Sequence, residues 1–416
     1  MTVAEPDCIS RFREFVRIKT VHPNPDYEAS KQYLISQAKD IGLTYQVVEC
    51  VKGKPIVILG LEGSDPSLQS IMLGSHIDVV PVFEVSFINI FKHIKLVEFW
   101  TYPPFAAERV PTEDGDFKIY GRGSQDMKCT SCMHLEALRK IVNSGTKLKR
   151  TVYAVLAPDE EIGGYDGVNL LVDTFEFKNL NVGFDLDEGM LAADERYSVS
   201  YSERINGQVR FTAHGNTGHG SQFIEGTAIE KLLPVINALM DRREIEKKKL
   251  AALNDGKTNL RSGESIAINL TQLGGGKQAN VVPATFSAVF DIRITPLIDS
   301  NEFKNWIIEL AHSYGVEYEF LHPKENKYIS TLDRSNPFVD AFFASLAERN
   351  IIPIPIICPA TSDCRHVRRT GIPVYGFVPI KNHQMLAHDH DEYVLESEFL
   401  NGINIYVDVI IGLASV

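Results

Sequence analysis

No stretch of this sequence approaches the roughly 18 consecutive apolar residues of a membrane span, and its N-terminus, MTVAEPDCISRFREF, has no basic segment leading into an apolar one. The expected location is therefore the cytoplasm, without a membrane partner. Basic residues are outnumbered, 42 against 54 acidic, for a formal charge of −12. That balance argues against a nucleic-acid partner and leaves carboxylates to serve cations. The six cysteines, Cys8, Cys50, Cys129, Cys132, Cys358 and Cys364, are too scattered for a disulfide framework. Cys129 and Cys132 form a C-x-x-C, but no second pair follows at zinc-ribbon spacing, and LEALRK directly after them reads as helix; a redox or structural-zinc role is not expected. A G-x-S-x-G nucleophile elbow and a P-loop are also missing. LGGGKQ has glycines and Lys277 without the rest of a phosphate motif and reads as a turn between strands.

The chain does have ample core: 44% hydrophobic against 23% charged residues over 416 positions, enough for two domains. Strand and helix patterns alternate through its first half, with helices expected near 28–41 and 127–143 and strands near 55–60, 70–75, 151–157 and 181–187. This is the pattern of an α/β sheet covered by helices on both faces. Between 199 and 293 the pattern changes to period-2 strands (VRFTA, SIAINLTQL, TFSAVFDIR) around one long helical stretch near 228–253. Pro234 is expected to kink that helix or delay its start. A helix is expected near 302–315, after which α/β alternation resumes. The organisation predicted is one domain inserted in another: 1–197 and 314–416 together, interrupted by a small α/β sandwich at 198–313.

Chemistry-bearing residues collect where strands give way to loops. SHID supplies His76 and Asp78, two apart on a strand and so on one side, where Asp78 can orient the ring of a metal-ligating histidine. YGRGSQDMK places Asp126 at a helix start, APDEEIGG places Glu160 and Glu161 beside a glycine pair, and FDLDEG ends a strand with Asp187 on the side of Asp185 and Glu188 following. AHDHDEY offers His388, His390 and Glu392. Taken singly, each segment has a plain reading: a solvated strand end, a helix N-cap, a solvated acidic loop. Together they supply imidazoles and carboxylates at the strand ends where α/β sheets place their sites. That is the donor set of hydrolytic zinc, with more carboxylates than one ion needs.

SHIDVVP, YGRGSQDMKC, PDEEIGG, LDEG, TGHGS, NVVPA and HDHDE follow one another in the order seen in the two-zinc amidohydrolase and metallopeptidase family of aminoacylases and carboxypeptidase G, which the chain resembles over nearly its whole length. The wording is closest to that of the animal cytosolic aminoacylases. The resemblance implies a zinc-peptidase-like α/β catalytic domain with a mixed sheet, interrupted by a lid and dimerisation domain. It implies two Zn2+ ions per subunit, bridged by Asp126, one completed by His76 and Asp187 and the other by Glu161 and His388. Glu160 would take a proton from the attacking water and pass it to the departing amine, while Asp78 would hold His76 in its ligating tautomer. His219, in HGNTGHGSQF, reads by itself as a turn residue; the resemblance implies that it reaches a partner subunit's site and polarises the substrate carbonyl, making the protein a homodimer through its inserted domain. Asn280 and Arg365 match positions that hold the substrate carboxylate, and the bond after Asp126 is expected to be cis. The implied reaction is hydrolysis of a small N-acyl-L-amino acid. A dipeptidase or carboxypeptidase of the same family, and a catalytically weak homologue kept as a binding protein, stay open as alternatives.

One segment departs from the resembled pattern. Between VPVF and FWTYPPF stands EVSFINIFKHIKLVE, longer than the family usually has there and rich in Ile, Phe and Lys. A translated in-frame intron is one reading of residues 85–97, since Val-Ser can be encoded by the donor sequence GTAAGT. A native surface loop is the other, and its apolar content would then be a contact liability.

Overall fold

The computed structural model describes residues 4–82, 84–85, 96–97, 100–253, 260–322 and 327–416. Apart from a ladder pairing Glu84–Val85 with Leu96–Val97, the 85–97 segment lies outside the described residues. The chain divides into two compact units: residues 1–201, 330–355 and 362–416 form the first, and 202–329 with 356–361 the second.

Eight strands form the large sheet, in the order Thr44–Val51, Lys54–Leu61, Val152–Ala157, Ser70–His76, Val182–Asp187, Val374–Gly376, Ser198–Glu203, Ile354–Cys358. Strand Ser70–His76 is parallel to both its neighbours, and Val374–Gly376 is parallel to Val182–Asp187; Lys54–Leu61 is antiparallel to both its neighbours and Ser198–Glu203 to Val374–Gly376, so the sheet is mixed. Side chains alternate between two interiors. Val57, Leu59, Ile71, Leu73, Phe184 and Leu186 join the larger core, whereas Ile56, Ile58, Met72, Val155 and Val182 join a separate one on the opposite face. Burial on both faces is why these strands read as continuous apolar runs.

Local signals account for the covering helices. Tyr27–Ile41 starts where the Asp26 side chain accepts the amide of Ala29 at 3.0 Å and ends at Gly42, whose φ of 89° suits a residue without Cβ. Helix Glu396–Ser415 reaches membrane length with a mean hydropathy of 1.2, although no long apolar run was expected. Its apolar face, including Phe399, Ile403, Tyr406 and Leu413, is committed to the larger core. Helix Lys128–Asn143 contains the C-x-x-C; both thiols are free and buried, and burial pushes Cys129 up to about 12.

The second unit is a sheet with two helices. Thr285–Ile294 pairs with Ile205–Asn206, Val209–His214 and Ala267–Gly275, all antiparallel. Helices Ala228–Leu253 and Ser300–Ser313 contribute Leu232, Val235, Leu239, Phe303 and Ile307 to a core shared with Phe211, Phe290 and Ile292. Two expectations need correction. Of the two outcomes expected at Pro234, a kink or a later start, the later start is not seen: helix Ala228–Leu253 runs through it, forfeiting the bond to the carbonyl of Glu230. The second unit also extends beyond 313, because strand Glu317–Phe320 pairs with Val209–His214, while Ser200 pairs with Gly376 in the first unit's sheet.

His134 gives the first unit an acid sensitivity. It is buried edge-on to the Tyr406 ring at a centroid distance of 4.5 Å, with neither ring nitrogen hydrogen-bonded among the described residues, and burial lowers its pKa to about 3. An unfolded imidazole takes up its proton near pH 6.5, so from there down to about pH 3 the unfolded chain binds more protons and stability falls with pH. Replacing His134→Phe is expected to flatten urea-unfolding stability against pH in that window by about 1 kcal/mol per pH unit.

Candidate metal centre

Parallel pairing brings chemically distant residues to one edge. His76 ends its strand level with Ala157, and Gly376 is level with Asp187, so the loops after these four strands leave the same edge of the sheet. The loop after Ala157 turns sharply, with Asp159 at φ 69° and Gly163 at φ 106°, and presents Glu160 and Glu161 from a single 3-10 turn. Asp126 arrives on a separate loop whose anchor is Glu392. This fully buried carboxylate accepts Arg122 Nη1 at 2.8 Å and the amides of Gly123, Gln125 and Asp126 at 3.0, 2.6 and 3.2 Å. Glu392, a possible ligand by sequence, is thus spent on holding the loop. Asp126 is no helix cap either: the cap position is Met127, after a cis Asp126–Met127 peptide.

Asp126 directs one oxygen at each of two imidazoles. Its Oδ1 lies 3.0 Å from His76 Nε2 and its Oδ2 3.1 Å from His388 Nε2. Glu161 Oε2 is 3.0 Å from His388 Nε2, and Glu160 and Glu188 each bring an Oε2 to 3.9 Å from His76 Nε2. Potential ligand atoms of His76, Asp126 and Glu161 all lie within 4.8 Å of one another, as do those of His76, Glu160 and Glu188. Asp187 belongs to neither group. Its Oδ1 accepts the Glu188 amide at 2.7 Å, and it lies over Gly74, where an added Cβ would come 2.5 Å from Asp187 Cγ. Strand parity places Asp187 with Asp185 inside the sheet; the next residue, just beyond the strand, is the one that emerges beside His76.

Burial makes this gathering electrostatically costly. It pushes Glu160 and Glu188 well above the usual carboxylate range and raises Glu161 and Asp187 as well. Burial also opposes charge on His76, but the surrounding carboxylates, Asp126 first, outweigh it and raise that imidazole. Hydrogen bonds to Asp126 and Glu161 bring His388 to about 10.

Asp78 serves the cluster from behind. The His76 ring meets the Asp78 backbone carbonyl, 3.0 Å from Nδ1, more closely than the carboxylate, at 3.6 Å. The carboxylate instead accepts the backbone amides of Glu160 and Glu161 at 3.2 and 3.1 Å, and His22 Nε2 lies 2.9 Å away. Burial would raise Asp78, but the bond to His22 and the nearby His76 ring overcome it and hold the carboxyl at about 2. Arg365 is also turned to support: Nη1 donates to the Ser362 carbonyl at 2.5 Å and Nη2 to that of Gly163 at 2.7 Å, bracing the turn that carries Glu160.

In the second unit, His219 pairs with Val281 on a two-stranded ladder, and Asn280 precedes that ladder's second strand. The Gly220 amide donates to the Asn280 carbonyl at 2.8 Å, and His219 Nδ1 is 2.7 Å from Ser221 Oγ.

The first unit's cluster suits divalent cations. Glu161 Oε1 and Glu188 Oε2 are buried without a hydrogen-bond partner among the described residues, which is tolerable for an anionic oxygen only beside positive charge. Imidazole nitrogens and carboxylate oxygens are the donors hydrolytic zinc takes.

Comparisons agree with this chemistry. Residues 72–412 match Peptidase family M20/M25/M40. Aminoacylase-1 of Sus scrofa is 40% identical over 414 residues, which cover 99% of this chain and 96% of that one. The M20 family metallo-carboxypeptidase Sso-CP2 from Sulfolobus solfataricus has a TM-score of 0.72 at 16% identity, covering 99% of both chains. YXEP of Bacillus subtilis, a dinuclear metal-binding M20 peptidase, has a TM-score of 0.62 at 15% identity, covering 98% of both. At these identities the two structures establish a shared fold.

Glu392→Gln keeps the side-chain shape but strands Arg122 without its counter-charge. Unfolding in urea should show a loss of about 3–5 kcal/mol.

Proposed function

The chain belongs to Peptidase family M20/M25/M40, and from that premise we infer that it hydrolyses N-acyl-L-amino acids to a carboxylate and a free amino acid, using two divalent cations, zinc by its donor set. The identity to aminoacylase-1 over nearly the whole of both chains supports the substrate class. One geometric observation supports the paired cations: Asp126 offers a separate oxygen to each imidazole, as a bridging carboxylate must.

His76 and Glu188 would complete one site and Glu161 and His388 the other, with Asp126 common to both. Glu188 takes the place expected of Asp187, because of these two Glu188 is the one grouped with His76 as a candidate ligand. Bound cations supply Lewis-acid polarisation of the acyl carbonyl and a water acidic enough to lose a proton near neutral pH. Glu160 accepts that proton on its carboxylate, water oxygen adds to the acyl carbon, and the C–N bond breaks as Glu160 returns the proton to the amine. Its burial favours the protonated form that the second transfer requires. Asp78 keeps the Glu160–Glu161 turn in place through its amides.

His219 would polarise the carbonyl oxygen of substrate bound in a partner subunit, and Asn280 beside it would hold the substrate carboxylate. The second unit is then the homodimer interface, and the enzyme works in the cytoplasm. Arg365 is better suited to bracing the Glu160–Gly163 turn than to gripping substrate, given its bonds to two carbonyls.

Purified protein should cleave N-acetyl-L-methionine in preference to dipeptides. Glu160→Gln should lower kcat by about 10²–10⁴-fold with both metals retained, whereas Glu188→Gln should lose metal and Asp187→Asn should not, by elemental analysis of dialysed protein. Retention of both metals by Glu188→Gln would return the ligand role to Asp187. Sedimentation should show a dimer, and mixing inactive His219→Ala with inactive Glu160→Gln should restore partial activity, since a hybrid contains one complete site.

A further inference from the structure

We propose that His22 is a positioning residue for Glu160: by donating from Nε2 to Asp78 it fixes the carboxylate that holds the backbone amides of Glu160 and Glu161. The catalytic part of this proposal rests on the hydrolytic reading above; the anchoring part rests on geometry alone.

Main-chain pairing, independent of either side chain, brings His22 to Asp78. Residues 20–22 run beside 77–79: Val21 bridges Val79 in parallel, the Val79 amide donates to the Thr20 carbonyl at 3.0 Å, and the His22 amide donates to the Val79 carbonyl at 3.3 Å. Thr20 Oγ1 adds a bond of 2.5 Å to the Ile77 carbonyl. The His22 side chain is 10% exposed and that of Asp78 0%, so water has little access to the bond between them.

That bond has a definite direction. An ionised carboxylate only accepts, so Nε2 must carry the proton, in the neutral ring as much as in the cation. Asp159 Oδ1 is the other acceptor nearby, at 3.9 Å from Nε2, but it is taken by Tyr27 Oη at 2.6 Å, and Asp159 also pairs with Lys54. Donation therefore goes to Asp78.

Three donors then define where the Asp78 carboxylate sits. Oδ1 has the Glu160 amide at 3.2 Å, while Oδ2 has the Glu161 amide at 3.1 Å and His22 at 2.9 Å. His22 makes the shortest of the three and the only one from outside the loop being held. Without it, Asp78 and the turn could shift together with both amide bonds intact, and the base would move relative to His76. Because Asp78 holds the turn of the base and touches no substrate, its misplacement should appear in kcat and leave KM alone.

The test compares full-length, metal-loaded wild type with His22→Leu, which has no donor, and His22→Gln, which retains one. Two readouts are taken: kinetics on N-acetyl-L-methionine, and hydrogen–deuterium exchange at the amides of Glu160 and Glu161. In His22→Leu, kcat should fall about 10- to 100-fold with KM near the wild-type value, and both amides should exchange about tenfold faster or more. His22→Gln should recover both. If leucine compromises folding, His22→Asn, too short to reach Oδ2, replaces it. Wild-type kcat and exchange in a folded donor-less variant overturn the proposal, as does equal damage in the glutamine variant. A wild type with slow amide exchange but no turnover of any N-acyl amino acid, whose His22→Leu variant still exchanges faster, would count against the substrate reading while upholding the anchor.

Discussion

Like charge gathered out of water is the constraint around which this molecule is arranged. Asp126, Glu160, Glu161 and Glu188 converge at one sheet edge with two imidazoles for company, Asp187 sits at the strand end beside Glu188, and burial drives all but Asp126 toward their neutral forms. Each must be held against repulsion, since nothing in their mutual interaction favours the assembly. The holding comes from groups that never face the site: the parallel strands that bring the loops together, Glu392 under the Asp126 loop, and Asp78 and Arg365 under the Glu160 turn.

Buried charges in and beside these supports are answered locally. Arg122 answers Glu392, Lys54 answers Asp159, and His22 donates to Asp78. Buried pairs of this kind contribute little net stability, but a missing partner is expensive. The result is a shell in which each member fixes the position of another, so that the inner carboxylates keep their geometry whether or not they are charged.

Much of this was legible in the sequence, and the rest was hidden for identifiable reasons. Apolar runs leading up to His76, Glu160 and Asp187 marked strand ends, and the side chains picked out at Asp126, Glu161 and His388 do converge with His76 and Glu160. Asp187 was paired with His76 by the resemblance; period-2 parity put it only with Asp185, a rule that holds inside the strand and gives no information one residue past its end, where Glu188 emerges. Glu392 looked like a ligand because it shares a motif with His388; only tertiary structure shows that its oxygens face four donors on another loop. Its neighbour in that motif, His390, gave no signal to separate it from His388. His22 sits in a Pro-rich turn far from any motif, and a histidine beside prolines carries no mark of the carboxylate it will meet. Strand Glu317–Phe320 is four residues long, too short for its alternation to betray which sheet it joins.

Asp78 grips its loop by main-chain N–H groups, and that has a consequence for how the loop can change. A contact made to peptide amides does not depend on which side chains those residues carry, so the identities of residues 160 and 161 can be altered while the scaffold beneath them keeps its hold. Chemistry and architecture are thereby separated within two consecutive residues: the side chains answer to the reaction, the backbone to the fold. The one residue type this arrangement refuses is proline, which has no amide hydrogen to give.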